Sequence, residues 1–89
     1  MKLLGRFSVT KGYEHWKSVF DAHAPARKEA GITTVFTGVQ ADDPNIVHVC
    51  LEVDSFEGIQ EFMQKPENAQ VIQEAGVIVE TQVMTPIIE

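Results

Sequence analysis

The chain has 89 residues, 44% of them hydrophobic and 22% charged, a composition typical of one folded domain spanning residues 1–89. The net charge of −6 disfavours binding to nucleic acid or to anionic membranes, because both require a basic surface. No apolar run approaches the ~20 residues that span a bilayer, and the N-terminus lacks the apolar segment of a signal peptide, so we expect a cytoplasmic protein. The single cysteine, Cys50, excludes an internal disulfide.

The first part of the sequence predicts a strand followed by a helix. Apolar and polar residues alternate over residues 2–10, a pattern typical of a half-buried strand. From Tyr13 the large apolar residues recur at steps of three and four, which predicts a helix ending near Gly31. Pro25 has no N–H group, so it must kink this helix or divide it near Ala24.

A hairpin follows the first helix. Residues 32–41 and 46–53 are rich in β-branched residues and predict two strands, joined by the turn-forming residues 42–45, Asp-Asp-Pro-Asn. The adjacent carboxylates of Asp42 and Asp43 could instead serve acid–base chemistry or bind a cation. We favour the turn, because it explains all four residues without any chemistry.

The last part predicts a second helix and a final strand. Asp54 fits the helix N-cap with Glu57 as its reciprocal partner, and Pro66 fits the first turn of a continuation that ends at Gly76. The apolar stripe of this helical segment consists of Phe56, Ile59, Phe62, Met63, Ala69, Ile72 and Ala75. Residues 77–88 form the last strand, interrupted by a proline that strand ends tolerate.

The predicted order is β-α-β-β-α-β, the ferredoxin-like α+β fold, in which both helices cover one face of a four-stranded antiparallel sheet. The other face would carry a mixture of apolar and polar residues: Leu4, Arg6, Ser8, Ile46, His48, Cys50, Glu52, Ile78, Glu80, Gln82 and Met84. This mixture suits a protein interface, and a domain of this size buries only about 60–65% of its unfolded surface. We therefore expect a homodimer formed through this face, with Arg6 paired to Glu52 or Glu80.

Several segments together resemble the dimeric α+β barrel superfamily. They are residues 13–21 (Tyr-Glu-His-Trp-Lys-Ser-Val-Phe-Asp), 30–32 (Ala-Gly-Ile), 42–45 (Asp-Asp-Pro-Asn) and 75–77 (Ala-Gly-Val). The superfamily includes cofactor-independent monooxygenases of antibiotic biosynthesis, small cyclases and isomerases, and uncharacterised bacterial and marine proteins. The resemblance implies a ferredoxin-like dimer but no particular reaction, because this fold hosts unrelated chemistries. Of the Trp, Asn and Arg or His groups that line the pocket of monooxygenase members, only Trp16 has a match.

A pocket between the first helix and the sheet is the predicted ligand site. Trp16, Phe20 and His23 fall within one arc of the helix, and this arc must face the sheet because the opposite arc is charged. The predicted ligand-binding residues are Phe7, Tyr13, Trp16, Phe20 and Phe36. They could form an aromatic wall for a planar ligand, or they could simply be core residues.

His23 is the candidate catalytic residue. It could act as a general base beside the bend at Pro25, or it could be a buried histidine bonded to a backbone carbonyl. A nucleophilic pair of His48 and Cys50 is less suitable, because neighbours two residues apart on a strand are about 6–7 Å apart, so we interpret both as interface residues. The histidines lack ligand spacing, so neither a metal nor a cofactor is predicted.

Two classes of function remain. One is a non-catalytic homodimer that binds a small apolar or aromatic molecule between the helices and the sheet. The other is a cofactor-independent enzyme, similar to monooxygenases, cyclases or isomerases, that acts on a small aromatic or polyketide-like substrate with His23 as base. We favour the binding protein, because the sequence offers no activating partner for His23.

Overall fold

The computed structural model describes residues 1–89 and contains four strands and four helices. In chain order these are β1 (Lys2–Val9), α1 (Tyr13–Ala22), α2 (Ala24–Glu29), β2 (Thr33–Gln40), β3 (Asp43–Glu52), α3 (Phe56–Gln64), α4 (Pro66–Glu74) and β4 (Val77–Ile87). Each of the two predicted helical segments is thus a pair of shorter helices, α1–α2 and α3–α4. No helix has both the length and the apolar character needed to cross a bilayer.

The strands form one antiparallel sheet in the order β2-β3-β1-β4. The helices cover one of its faces, the covered face, and the opposite face is called the open face below. Eleven buried residues form the core: Leu3, Phe7, Val9, Trp16, Ile32, Val47, Val49, Leu51, Val53, Ile59 and Ala75. Many of them occupy alternate positions of the central strands β1 and β3, as the period-two pattern requires. The ferredoxin-like α+β fold is therefore confirmed.

The first helical segment divides at His23, in agreement with the division expected near Ala24. Pro25 lies in the first turn of α2, where its missing N–H would have no helical partner in any case. The N–H of His23 lies 3.2 Å from the carbonyl oxygens of Val19 and of Phe20, so it closes α1. His23 is therefore the residue that joins the two helices.

Element boundaries differ from the prediction at a helix cap and at a turn. Ser55, rather than Asp54, is the N-cap of α3, and its Oγ accepts a hydrogen bond from the N–H of Gly58 at 3.0 Å. The turn between β2 and β3 is confined to residues 41–42, and β3 begins at Asp43. Both differences are small, because capping and turn residues lie next to one another in these segments.

An irregularity in β4 changes the face that its side chains occupy. Arg6 and Ser8 are two residues apart on β1, but their partners on β4, Val83 and Ile78, are five residues apart. β4 therefore carries three extra residues here, and an odd number reverses the alternation of side chains. The hydroxyl of Thr81 completes the bulge, because it accepts from the N–H of Ser8 at 2.8 Å and donates to the carbonyl of Ile78 at 2.6 Å.

This reversal corrects the predicted composition of the open face. Gln82 and Met84, which were expected there, lie on the covered side and line a cavity between helices and sheet. Val83 takes their place on the open face, where it is 50% exposed. The exposed large apolar side chains of the open face are Leu4, Phe36, Val83 and Ile87.

The ion pair predicted for Arg6 does not form within the protomer. Arg6 lies opposite His48 on β3, and neither Glu52 nor Glu80 forms an ion pair with it. Glu52 instead lies 3.4 Å from both the N-terminal amino group and the Nζ of Lys2. Desolvation acts to raise the pKa of Glu52, but these two positive charges outweigh it and hold that pKa below its usual value.

Candidate functional site

A cavity of about 100 Å³ lies between the helices and the covered face of the sheet. Eighteen residues line it, of which fourteen are hydrophobic. The strands contribute Phe7, Val49, Leu51, Val77, Gln82 and Met84, and the helical segments contribute Trp16, Val19, Phe20, His23, Arg27, Ile59, Phe62, Met63, Asn68, Val71, Ile72 and Ala75. An apolar lining with a few polar groups is typical of small-molecule sites.

Three of the predicted aromatic residues lie together in the cavity wall. The rings of Trp16 and Phe20, one turn apart on α1, are stacked with centroids 4.6 Å apart and planes inclined at 23°. Phe7 on β1 lies 5.5 Å from Trp16 at an angle of 52°. These rings form a continuous apolar surface between α1 and the sheet.

Tyr13 does not line the cavity. Its ring lies 5.8 Å from that of Trp16, and its hydroxyl is 2.8 Å from the Oγ1 of Thr37 on β2. Its hydroxyl is therefore bonded to the edge of the sheet, and its ring supports Trp16 from outside the wall.

Phe36 is also absent from the cavity, and the prediction that it faces the first helix is wrong. Thr34 pairs with Leu51 and Phe36 pairs with Cys50, so β2 advances by two residues while β3 advances by one. Val35 is the extra residue of this bulge, and it reverses the alternation of β2. Phe36 consequently lies on the open face and is 52% exposed.

His23 belongs to a chain of hydrogen bonds that fixes its tautomer. The Nε2 of His23 lies 2.7 Å from the Oδ1 of Asn68, and the Nδ2 of Asn68 donates to the carbonyl of Phe62 at 2.7 Å. Because a carbonyl only accepts, the amide of Asn68 must present its oxygen to His23, and Nε2 must carry a proton. In the neutral ring Nδ1 is then the free acceptor. His23 thus has a side-chain partner that orients its ring. The alternative prediction, a buried histidine bonded to a backbone carbonyl, is not what the structure contains.

Asn68 is a site residue that sequence reasoning misses. The predicted stripe places Ala69 on the buried side of the second helical segment, but Ala69 is exposed and Asn68 is only 5% exposed. Asn68 precedes Ile72 by four residues and Ala75 by seven. This helical spacing is the signal that could have identified it.

Arg27 is the second polar residue of the site that was not predicted to bind a ligand. It is 6% exposed, its Cζ lies 3.5 Å from the centroid of the Phe20 ring, and its Nη1 donates to the carbonyl of Phe20 at 2.7 Å. Burial lowers the pKa of Arg27, and the negative charge of Asp21 partly offsets this effect. Its position four residues after His23 predicts its burial, since both lie on the apolar stripe of the first helical segment.

His48 and Cys50, the pair considered as a nucleophilic site, lie on the open face. The Nε2 of His48 is 2.9 Å from the Oε1 of Gln40, and Cys50 is buried between Leu4 and Phe36 on the neighbouring strands. No group of three or more His, Cys, Asp or Glu side chains lies close enough together to hold a metal ion.

Solved structures with the same fold cover almost the whole chain. SnoaB, a cofactor-independent oxygenase from Streptomyces nogalater, has a TM-score of 0.68 and 12% identity over 99% of this chain and 92% of its own. A candidate antibiotic biosynthesis monooxygenase from Chloroflexus aurantiacus has a TM-score of 0.65 and 16% identity over 99% of this chain and 92% of its own. An uncharacterised NIPSNAP domain protein from Burkholderia xenovorans has a TM-score of 0.66 and 11% identity over 100% and 94%. These similarities confirm the expected structural resemblance, and at such low identity they show the fold alone.

No curated protein has a significantly similar sequence. A family model does match, and it covers residues 4–89, a range that includes every residue lining the cavity. The chain therefore belongs to the family described as a domain of unknown function, DUF3764.

Proposed function

We propose that this protein binds a single-ring aromatic molecule in the cavity between the helices and the sheet. The observation that carries the proposal is the lining, which is apolar except for a few polar groups. Among these, His23, Asn68 and Arg27 are held in place by hydrogen bonds, so they can orient a ligand without being reorganised first.

The volume of the cavity limits the size of the ligand. An apolar cavity of ~150 Å³ in another protein accepts benzene, and the cavity here measures about 100 Å³. One ring fits with small shifts of the lining side chains. A fused-ring polyketide would require a much larger displacement, so we narrow the expected ligand to a single ring.

Filling the cavity tests this proposal. Ala75 lines the cavity and is 3% exposed, whereas Ala69 on the same helical segment is exposed. With 4-fluorophenol as the probe, followed by ¹⁹F NMR and by the fluorescence of Trp16, the only tryptophan, we expect saturable binding. Ala75→Leu should weaken it by at least about tenfold, which corresponds to ~1.4 kcal/mol. Ala69→Leu should leave it unchanged, and equal binding by the two variants would contradict the proposal.

We further infer that two copies of the chain associate through the open face. Leu4, Phe36 and Val83 are 41%, 52% and 50% exposed and lie on three different strands of this face. Apolar side chains exposed together on one surface are typical of protein interfaces. Their burial would add stabilisation to a domain whose own core is small.

Light scattering coupled to gel filtration measures this association. The wild-type protein should have about twice the chain mass of 9.9 kDa. Val83→Glu should give a monomer, because it buries a charge in the interface. Val39→Glu is the matched control. Val39 is 42% exposed, but it pairs with the core residue Val47 and therefore lies on the covered face. A monomeric wild-type protein at micromolar concentration would disprove the dimer.

A second candidate function, cofactor-independent catalysis, is favoured by the orientation of His23. Asn68 leaves Nδ1 of the neutral ring as an acceptor, and a base beside an aromatic ligand can take a phenolic proton. The test is oxygen uptake with hydroquinone, which O₂ oxidises to benzoquinone with formation of H₂O₂. If the protein is an enzyme, the wild-type protein should accelerate oxygen uptake. His23→Gln should abolish this acceleration while hydroquinone still binds. Equal rates for both proteins would leave binding as the function.

A further inference from the structure

Arg27 is a buried cation without an acidic partner. Arg27 is only 6% exposed. The ion pairs of the chain join the N-terminal amino group to Glu52, Lys2 to Glu52, and Lys17 to Asp21. Asp21, the acid whose charge influences Arg27, is thus engaged by a lysine. A buried charge without a counter-ion opposes folding, so its presence in this wall calls for a reason other than stability.

The guanidinium group is positioned but only partly used. It stacks on the ring of Phe20, which in turn stacks on Trp16, and its Nη1 donates to the Phe20 carbonyl. This is one hydrogen bond from a group that has five N–H donors. No fully buried side-chain nitrogen of the chain lacks a partner, so Nε and Nη2 of Arg27, which form no hydrogen bond within the chain, keep some solvent-accessible surface. A held guanidinium with free donors is suited to binding a planar anion.

We propose that the ligand of the cavity is a single-ring aromatic carboxylate whose anionic group binds to Arg27. This inference rests on the proposed binding function and specifies the chemistry of its ligand. The ring would occupy the apolar part of the cavity beside Trp16 and Phe20, and the carboxylate would accept hydrogen bonds from the free donors. The bound anion would then supply the counter-charge that the protein itself lacks.

A second cavity that Arg27 also lines is a competing location for the anion. This cavity of about 530 Å³ is lined mainly by polar residues, and Arg27 and Lys28 both contribute to it. An anion bound there would depend on the exposed Lys28 as well. The apolar cavity is favoured, because the rings of Phe20 and Trp16 offer an aromatic ligand a surface that the second cavity lacks.

The experiment compares benzoate, salicylate and phenylacetate with their neutral amides, which have the same shape. Titrations followed by NMR should show that the wild-type protein binds the carboxylates about 10- to 100-fold more tightly than the amides, the range of a charge-assisted hydrogen bond. Arg27→Met should abolish this preference. Its melting temperature should not fall, because an apolar side chain replaces an unpaired buried charge. Arg27→Lys should retain part of the preference, and Lys28→Gln should retain all of it.

Each unexpected result has a separate meaning. If the amides bind as tightly as the carboxylates, the inference about Arg27 fails and the proposed binding function stands. If no compound of either kind binds, the proposed function fails as well. A preference lost in Lys28→Gln would place the anion in the second cavity and overturn the assignment. A lower melting temperature of Arg27→Met with an unchanged preference would make Arg27 a structural residue.

Discussion

Replacing Asn68 by alanine should remove the hydrogen-bonded chain that links α4, α3 and His23. Asn68 is 5% exposed, accepts from His23 and donates to the carbonyl of Phe62. Its loss would leave this carbonyl with only the N–H of Lys65, 3.4 Å away, and would leave the Nε2 of His23 without an acceptor. The variant therefore measures how strongly the fold depends on these two hydrogen bonds.

The magnitude follows from the two bonds. Each contributes a net ~0.5–1.5 kcal/mol, and a buried group left without a partner costs a further ~1–3 kcal/mol. The free energy of unfolding should therefore fall by about 2–6 kcal/mol. For a urea m-value of about 2 kcal/mol/M, the midpoint of denaturation would fall by roughly 1–3 M.

Urea denaturation, followed by circular dichroism at one fixed protein concentration, is the appropriate assay, because association would otherwise shift the midpoint. Asn45→Ala is the control, since Asn45 is exposed and should change stability by no more than about 0.5 kcal/mol. Midpoints that agree within error for Asn68→Ala and Asn45→Ala would refute the hydrogen-bonded chain.

Three further variants test other parts of the fold. Thr81→Val removes the hydroxyl that completes the bulge of β4 and should lower the free energy of unfolding in urea by roughly 1–3 kcal/mol. The control Thr34→Val, at an exposed position, should lower it by less than about 0.5 kcal/mol, and equal losses would contradict the role of Thr81. Gly76→Ala should lose at least about 1–2 kcal/mol, because Gly76 has a φ of +84° and a Cβ there would lie 3.3 Å from a backbone nitrogen. Gly38→Ala meets no atom within 4 Å and should be close to neutral, so similar losses would refute the strain. The pKa of Glu52 is lower in the folded chain, so the stabilisation from its charge is present near neutral pH and is lost as pH falls through that pKa. The melting temperature of Glu52→Gln should therefore fall less steeply than that of the wild-type protein as pH is lowered, and parallel plots of melting temperature against pH would disprove the linkage.

The strand pattern predicts most of the sheet because alternation is a local property. Residues 2–9 and 46–52 alternate without interruption, and the structure buries the apolar set of both. The residues assigned to the wrong face, Phe36, Gln82 and Met84, all follow a bulge. A bulge depends on the register with the neighbouring strand, and the residue pattern of one strand does not contain this register.

The candidate site shows the same division between local and tertiary information. Trp16, Phe20 and His23 share one helical arc, so their spacing places them together. The partner of His23 lies 45 residues away on another helix, and only the packing of the two helical segments brings Asn68 against it. The role of Arg27 is hidden for a related reason, because its lack of an acidic partner is a property of the folded chain.

The three extra residues of β4 also constrain how this strand can change in length during evolution. Met84 lies in the cavity wall and Val83 on the open face only because β4 has an odd number of extra residues relative to β1. Deleting or inserting one residue in 79–81 would exchange the two surfaces in a single step, altering the ligand site and the outer surface together. Changes of two residues would preserve both. Relatives that keep both surfaces should therefore differ in this segment by even numbers of residues.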